Sequence, residues 1–196
     1  MPRRPRVIIP GVPHHITQRG NNRQQVFYCD HDRTLYLDLL TRHARQYGTR
    51  ILSYCLMTNH VHVVAVPQRD HSLARTCGRA HAEYAAALNH AERRSGHLWQ
   101  NRFFSCPLDG AHLESAMRYV ELNPVRAGLI AVPWAWPWSS ARAHCSKEAG
   151  DALLDCCGGR PGDWDYAGWQ TSLLSGLPSD EVEAVILNRR ALASCE

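Results

Sequence analysis

Lysine is nearly missing from this chain: Lys147 is the one lysine among 22 basic residues. An arginine-rich proteome accounts for that bias, so it assigns no function by itself. Acidic residues are missing from the first 29 positions, which carry Arg3, Arg4, Arg6, Arg19 and Arg23. The imbalance continues beyond them, with 15 Lys+Arg against 6 Asp+Glu over residues 1–108 (net +9) and 7 against 12 over 109–196 (net −5). Proteome bias does not produce such an asymmetry, whereas a surface that binds a polyanion does.

Long apolar runs are absent too. Nothing approaches the roughly 20 residues of a membrane span, and the start, MPRRPRVIIPGVPHH, lacks the apolar segment and cleavage site of a secretion signal. A cytoplasmic protein with no membrane partner is expected. The eight cysteines include no CxxC pair, which argues against a zinc knuckle or disulfide framework and for ordinary buried thiols. No internal repeat or low-complexity block is present. A length of 196 residues with 44% hydrophobic content suits one core; the expected division is a domain over 1–144 and a C-terminal linker and helical tail over 145–196.

What is there reads as alternating strands and helices. HHITQR (14–19) predicts a strand closed by the turn Gly20-Asn21-Asn22, and Leu35, Leu39 and Leu40 predict a helix over 31–47 stopped by Gly48. RILSYCLM and HVHVVAVP, separated by Thr58-Asn59, predict a hairpin whose second strand is buried on both faces. An alanine-rich helix over 72–94, a strand over 102–108 and a helix from the N-cap Asp109 to Asn123 follow, with a last helix over 180–193. The order βαββαβα predicts an α+β fold, close to ferredoxin-like, with an antiparallel sheet and helices on one face.

His60 and His62 fall on one face of their strand, about 7 Å apart. Two such imidazoles can share a metal, or be polar residues at a strand start. On the helix after Asp109, Leu113, Met117 and Val120 form a core stripe, and His112, Ala116, Tyr119 and Asn123 a second stripe beside it. Tyr119 and Asn123, four apart, are neighbours. From spacing alone, Tyr119 reads as a packing residue and Asn123, before Pro124, as a helix stop.

Five blocks in this order, HHITQRGNNR, LMTNHVHVV, GHLWQNRF, RYVELNPVRAG and WPWSSARAH, resemble the REP-associated tyrosine transposases, relatives of the single-tyrosine HUH transposases. The resemblance runs from Val7 to His144 and departs from it at Thr58, where many members have proline. It implies a DNA strand transferase with Tyr119 as nucleophile, a divalent Mg or Mn held by His60, His62 and Asn123, and a 5′-phosphotyrosine intermediate. A phenol with a pKa near 10 needs such help to attack at neutral pH. The partner implied is single-stranded DNA with REP-like hairpins, placing the protein at the nucleoid.

Candidate DNA contacts are Arg4 and Arg6 in the arm, and Arg19, Asn21, Asn22 and Arg23 at the first turn, where a plain solvated turn is the alternative. Trp99 and Arg102 could clamp a single strand, Trp99 being otherwise a core anchor, and Arg126 is a phosphate contact or a helix cap. Two rival functions remain at this point: an idle hairpin-binding regulator, and a metal-dependent nuclease that hydrolyses with water. A monomer is preferred to a homodimer, on the expectation that Trp134, Trp136, Trp138 and the tail cover the second sheet face.

Overall fold

Strict alternation along HVHVVAVP sends Val61, Val63 and Ala65 to one side and His60, His62, Val64 and Val66 to the other, so this segment can only be a strand buried between two layers. The computed structural model, which describes residues 6–157 and 163–179, builds both layers. Its strands are β1 (His14–Arg19), β2 (Thr49–Leu56), β3 (His60–Pro67) and β4 (Phe104–Pro107), in the order β2-β3-β1-β4 with antiparallel neighbours. Helices α1 (Asp30–Tyr47) and α2 (Ser72–Ala91) make the two crossovers. This is the ferredoxin-like βαββαβ arrangement.

Capping explains where α1 lies. Asp32 reaches back to accept from the backbone N–H groups of Tyr28 and Cys29, at 2.7 and 3.1 Å, and Gly48 ends the helix with a left-handed φ of 64°. Tyr36 and Leu40 of α1 and Leu73, Ala80 and Tyr84 of α2 then bury Ile16, Val61, Val63 and Ala65.

Those two helices share one face, but α3 (Gly110–Arg126) lies on the other, where Met117, Val120 and Leu122 meet Leu52, Cys55, Val64 and Val66. The short helices α4 (Ala141–Cys145) and α5 (Ala152–Cys157) follow, then α6 (Tyr166–Leu174), which adds Trp169 and Leu173 to the second core. The tryptophan loop seals the β2 edge, where Leu56 N–H donates to the Trp138 carbonyl at 2.8 Å and Trp136 Nε1 to the Leu56 carbonyl at 3.0 Å, and Trp136 also packs against the second core while Trp138 packs against the first.

Three boundaries differ from the sequence reading. α2 stops at Ala91 because Arg93 takes the left-handed φ of 49° and turns the chain before Gly96. β4 is shorter than 102–108 because Gln100 N–H is tied to the Arg19 carbonyl and Gln18 Nε2 to the Asn101 carbonyl, which hold that stretch as a loop. α3 continues through Pro124 to Arg126. Pro124 has no N–H for the Val120 carbonyl, and Asn123 Nδ2 reaches that carbonyl at 3.4 Å and the Tyr119 carbonyl at 2.7 Å. The stop is Gly128, with φ of 69° and a Schellman pair from Leu129 N–H to Pro124 O and Gly128 N–H to Val125 O, both 2.9 Å. The helix expected over 180–193 lies outside the described residues.

Cys29, Cys55, Cys77, Cys106 and Cys145 are free thiols. Among the described residues no helix is long and apolar enough to cross a membrane.

Candidate active site

The β2–β3 turn places the first histidine. Asn59 accepts from Gly20 N–H through its backbone carbonyl at 2.9 Å, and its Nδ2 donates to the Arg23 carbonyl at 3.1 Å. Gly20 permits this packing, since a Cβ there would meet the Gln24 carbonyl oxygen at 2.2 Å. The Asn59 Oδ1 left over lies 2.6 Å from His60 Nδ1 and accepts from it. One amide therefore joins the Gly-Asn-Asn-Arg turn to His60.

His62, two residues on, is 2% exposed. Its ring centre is 5.0 Å from that of His60, and its Nδ1 lies 3.0 Å from Nε2 of His15. His15 comes from β1, opposite Val64, and shares their face because cross-strand partners point the same way. Neither Asn59 nor His15 stood out in the sequence as a site residue.

α3 brings Tyr119 against this group. Its ring meets His62 edge-on at 5.8 Å and His15 at 6.0 Å, and no residue among those described hydrogen-bonds to its hydroxyl. The Arg126 guanidinium stands 5.2 Å from the centre of the Tyr119 ring. Asn123 is one helical turn further on, its Nδ2 turned back onto the helix.

Two anchors fix α3 in place. Fully buried Glu121 accepts from His144 Nδ1 and Ser140 Oγ, both at 2.5 Å, from Ser53 Oγ at 3.2 Å and from Trp169 Nε1 at 2.8 Å. Burial alone would push its carboxyl up, but the His144 ring and the Ser140 and Trp169 donors outweigh that and hold it below the usual carboxylate range. Arg118 donates to the carbonyls of Ser172 and Gly176 and to Ser175 Oγ. The segment around α6 thus clamps the helix that carries Tyr119.

The remaining expected residues divide into two groups. Arg19, opposite His60 in register, and the turn Asn21–Arg23, with Asn22 and Arg23 at left-handed φ of 50° and 60°, sit at the His60 end of the sheet. Arg6, Trp99 and Arg102 line a cleft of about 730 Å³ with Gln18, His81 and Phe103, on the α1/α2 side. There Arg6 donates to the Phe103 carbonyl at 2.9 Å and lies 3.8 Å over its ring. Trp99 is a core anchor, 9% exposed, with Nε1 donating to the His81 carbonyl at 2.9 Å. Arg102 is exposed, and Arg4 lies outside the described residues.

Among the described residues no three His, Cys, Asp or Glu side chains group as a metal site. What stands together here is two imidazoles, His60 and His62, with Asn123 on the helix that packs against them. That set does not fit a structural zinc, which takes four protein ligands. It fits a divalent ion with coordination positions open to water and phosphate oxygens.

Comparison with known proteins matches residues 10–123 to the family described as "Transposase IS200 like". A candidate REP-associated tyrosine transposase of Haemophilus influenzae is 25% identical over 113 residues, 52% of this chain and 64% of that protein, so the match spans somewhat less than two thirds of its length. Among solved structures, a REP-associated tyrosine transposase bound to a REP hairpin superposes with a TM-score of 0.64 at 18% identity, over 78% of this chain and 93% of that one. It shares the fold. A transposase candidate from Deinococcus radiodurans is 19% identical, with a TM-score of 0.42 over 61% of this chain and 95% of its own.

Proposed function

Because this chain belongs to the IS200-like transposase family, we propose that it nicks and rejoins single-stranded DNA beside REP-type hairpins, with Tyr119 as nucleophile. The observation that carries the reading is the convergence of three elements: Tyr119 on α3 stands edge-on to His62 on β3, with His60 beside it. A merely structural tyrosine needs no such neighbours.

The Tyr119 hydroxyl gives up its proton and its oxygen attacks the scissile phosphorus. The bond from phosphorus to the 3′ oxygen breaks, and that oxygen takes up a proton to leave as a 3′-hydroxyl. The 5′-phosphate stays on Tyr119, so bond energy is conserved and a second 3′-hydroxyl can reverse the step. His60, His62 and Asn123 would hold a divalent Mg or Mn ion, which supplies Lewis-acid polarisation of the phosphate. Arg126, beside the Tyr119 ring, and Arg19, opposite His60, place positive charge where the backbone enters. Asn21, Asn22 and Arg23 form the turn next to His60 and are assigned to contact the same DNA strand.

The test is cleavage of labelled single strands carrying hairpins, in Mn²⁺ or Mg²⁺, on denaturing gels. Wild-type protein should cleave, EDTA should stop it, and His60→Ala or His62→Ala should abolish cleavage while hairpin binding persists. Normal cleavage by both variants contradicts the metal assignment. Binding without cleavage by the wild type identifies a regulator instead, and cleavage without a protein adduct a hydrolase.

A further inference from the structure

One buried imidazole has no part in that chemistry. His15 is 2% exposed, and its ring lies edge to edge with that of His62, centres 5.3 Å apart and planes within 16° of each other. The 3.0 Å between His15 Nε2 and His62 Nδ1 accommodates a single proton. If that proton belongs to His15, neutral His62 keeps its own proton on Nε2 and has no lone pair there for a cation. If it belongs to His62 Nδ1, Nε2 is left with a lone pair that points away from His15.

His60 shows the second arrangement with a partner of settled polarity. Asn59 Nδ2 is committed to the Arg23 carbonyl, so Asn59 Oδ1 can only accept, and the proton is on His60 Nδ1. By the same rule, the hydrogen bond that each ring makes at Nδ1 decides whether its own Nε2 can face an ion.

We infer that His15 is a positioning residue: its Nε2 accepts the His62 Nδ1 proton and so holds His62 in the tautomer that presents Nε2 to a divalent cation. The inference rests on the proposed metal role of His60 and His62. It goes further by making a β1 residue part of the site, which explains why a polar ring is buried in the strand pair that backs Tyr119.

The experiment uses the full chain and two readouts. In metal-free protein, long-range proton–nitrogen correlation of labelled histidines reports which His62 nitrogen carries the proton. Mn²⁺ affinity is measured from the free-ion electron resonance signal. His15→Phe keeps a flat ring without an acceptor, and His15→Gln puts an amide oxygen near the former Nε2.

Wild type and His15→Gln should show His62 protonated at Nδ1 and similar Mn²⁺ affinity. His15→Phe should spread the proton over both nitrogens and weaken Mn²⁺ by about 10- to 100-fold. His62→Ala is measured alongside. If His62→Ala leaves Mn²⁺ affinity unchanged, the metal reading fails and the inference falls with it. If His62→Ala loses binding but His15→Phe keeps wild-type tautomer and affinity, the inference alone is wrong. A wild-type His62 protonated at Nε2, with His15→Gln as damaging as His62→Ala, makes His15 a ligand and also overturns it.

Discussion

The Asn123 side-chain amide donates to the Tyr119 carbonyl at 2.7 Å, which ties the proposed third ligand to the turn of helix that carries the proposed nucleophile. The same amide reaches the Val120 carbonyl that Pro124 leaves without a donor. Asn123→Ala should therefore lower Mn²⁺ affinity and cleavage, and cost about 1 kcal/mol of stability. Asn123→Asp keeps an oxygen ligand but not the donor, so it should lose comparable stability and retain more Mn²⁺ binding. Equal Mn²⁺ affinity in wild type and Asn123→Ala would remove Asn123 from the ligand set.

Glu121 makes a separate prediction about stability. Glu121→Ala would leave His144, Ser140 and Trp169 donors buried without their acceptor, a loss of about 3–5 kcal/mol by analogy with broken buried pairs. Glu121→Gln should cost less. Chemical denaturation followed by tryptophan fluorescence measures both.

The pH dependence follows from the sign of the same shift. The folded carboxyl titrates below its unfolded value of about 4.3, so its stabilisation is complete above that value and is lost as pH falls through the lower, folded one. Wild type should lose stability over that acid window, and Glu121→Gln should show a flatter profile there. Identical profiles would mean that this carboxylate is not the acid-sensitive group.

Charge at the strand entry is tested by salt. If Arg19 and Arg126 each contact a phosphate, replacing either with Gln should reduce the slope of log affinity against log salt for a single strand by about 0.7. An unchanged slope would assign Arg126 to its helix end and Arg19 to the sheet.

Much of this arrangement was legible in local sequence patterns. The period-2 run of β3 put His60 and His62 on one face, and the helical stripe of α3 put Tyr119 beside Asn123, because both periods are set by backbone geometry alone. His15 was not legible. It lay inside a predicted strand, but its approach to His62 depends on the register between β1 and β3, which are separated by α1 and β2 and leave no turn to count from. Asn59 read as a turn residue because the bond that fixes its amide, to the Arg23 carbonyl, joins segments 36 positions apart. The end of α3 was misplaced for a related reason: Pro124 is a stop signal only when no side chain satisfies the carbonyl it abandons, and Asn123 does so. The clamp of Arg118 and Glu121 on α6 likewise joins residues some 50 positions apart. Trp99, which sequence left between a stacking platform and an anchor, is enclosed by Tyr36, His81 and Tyr84.

The most direct measurement concerns the covalent bond itself. A hairpin-bearing single strand labelled 3′ of the cut is incubated with protein and Mn²⁺, the adduct is digested with protease, and the DNA-linked peptide is sequenced. The account predicts a 5′-phosphate on Tyr119, and no adduct or cleavage from Tyr119→Phe, a variant that keeps the ring and so folds and binds hairpin as the wild type does. A Tyr119→Phe protein that nicks at the wild-type rate, or an adduct on another tyrosine such as Tyr84, would contradict it.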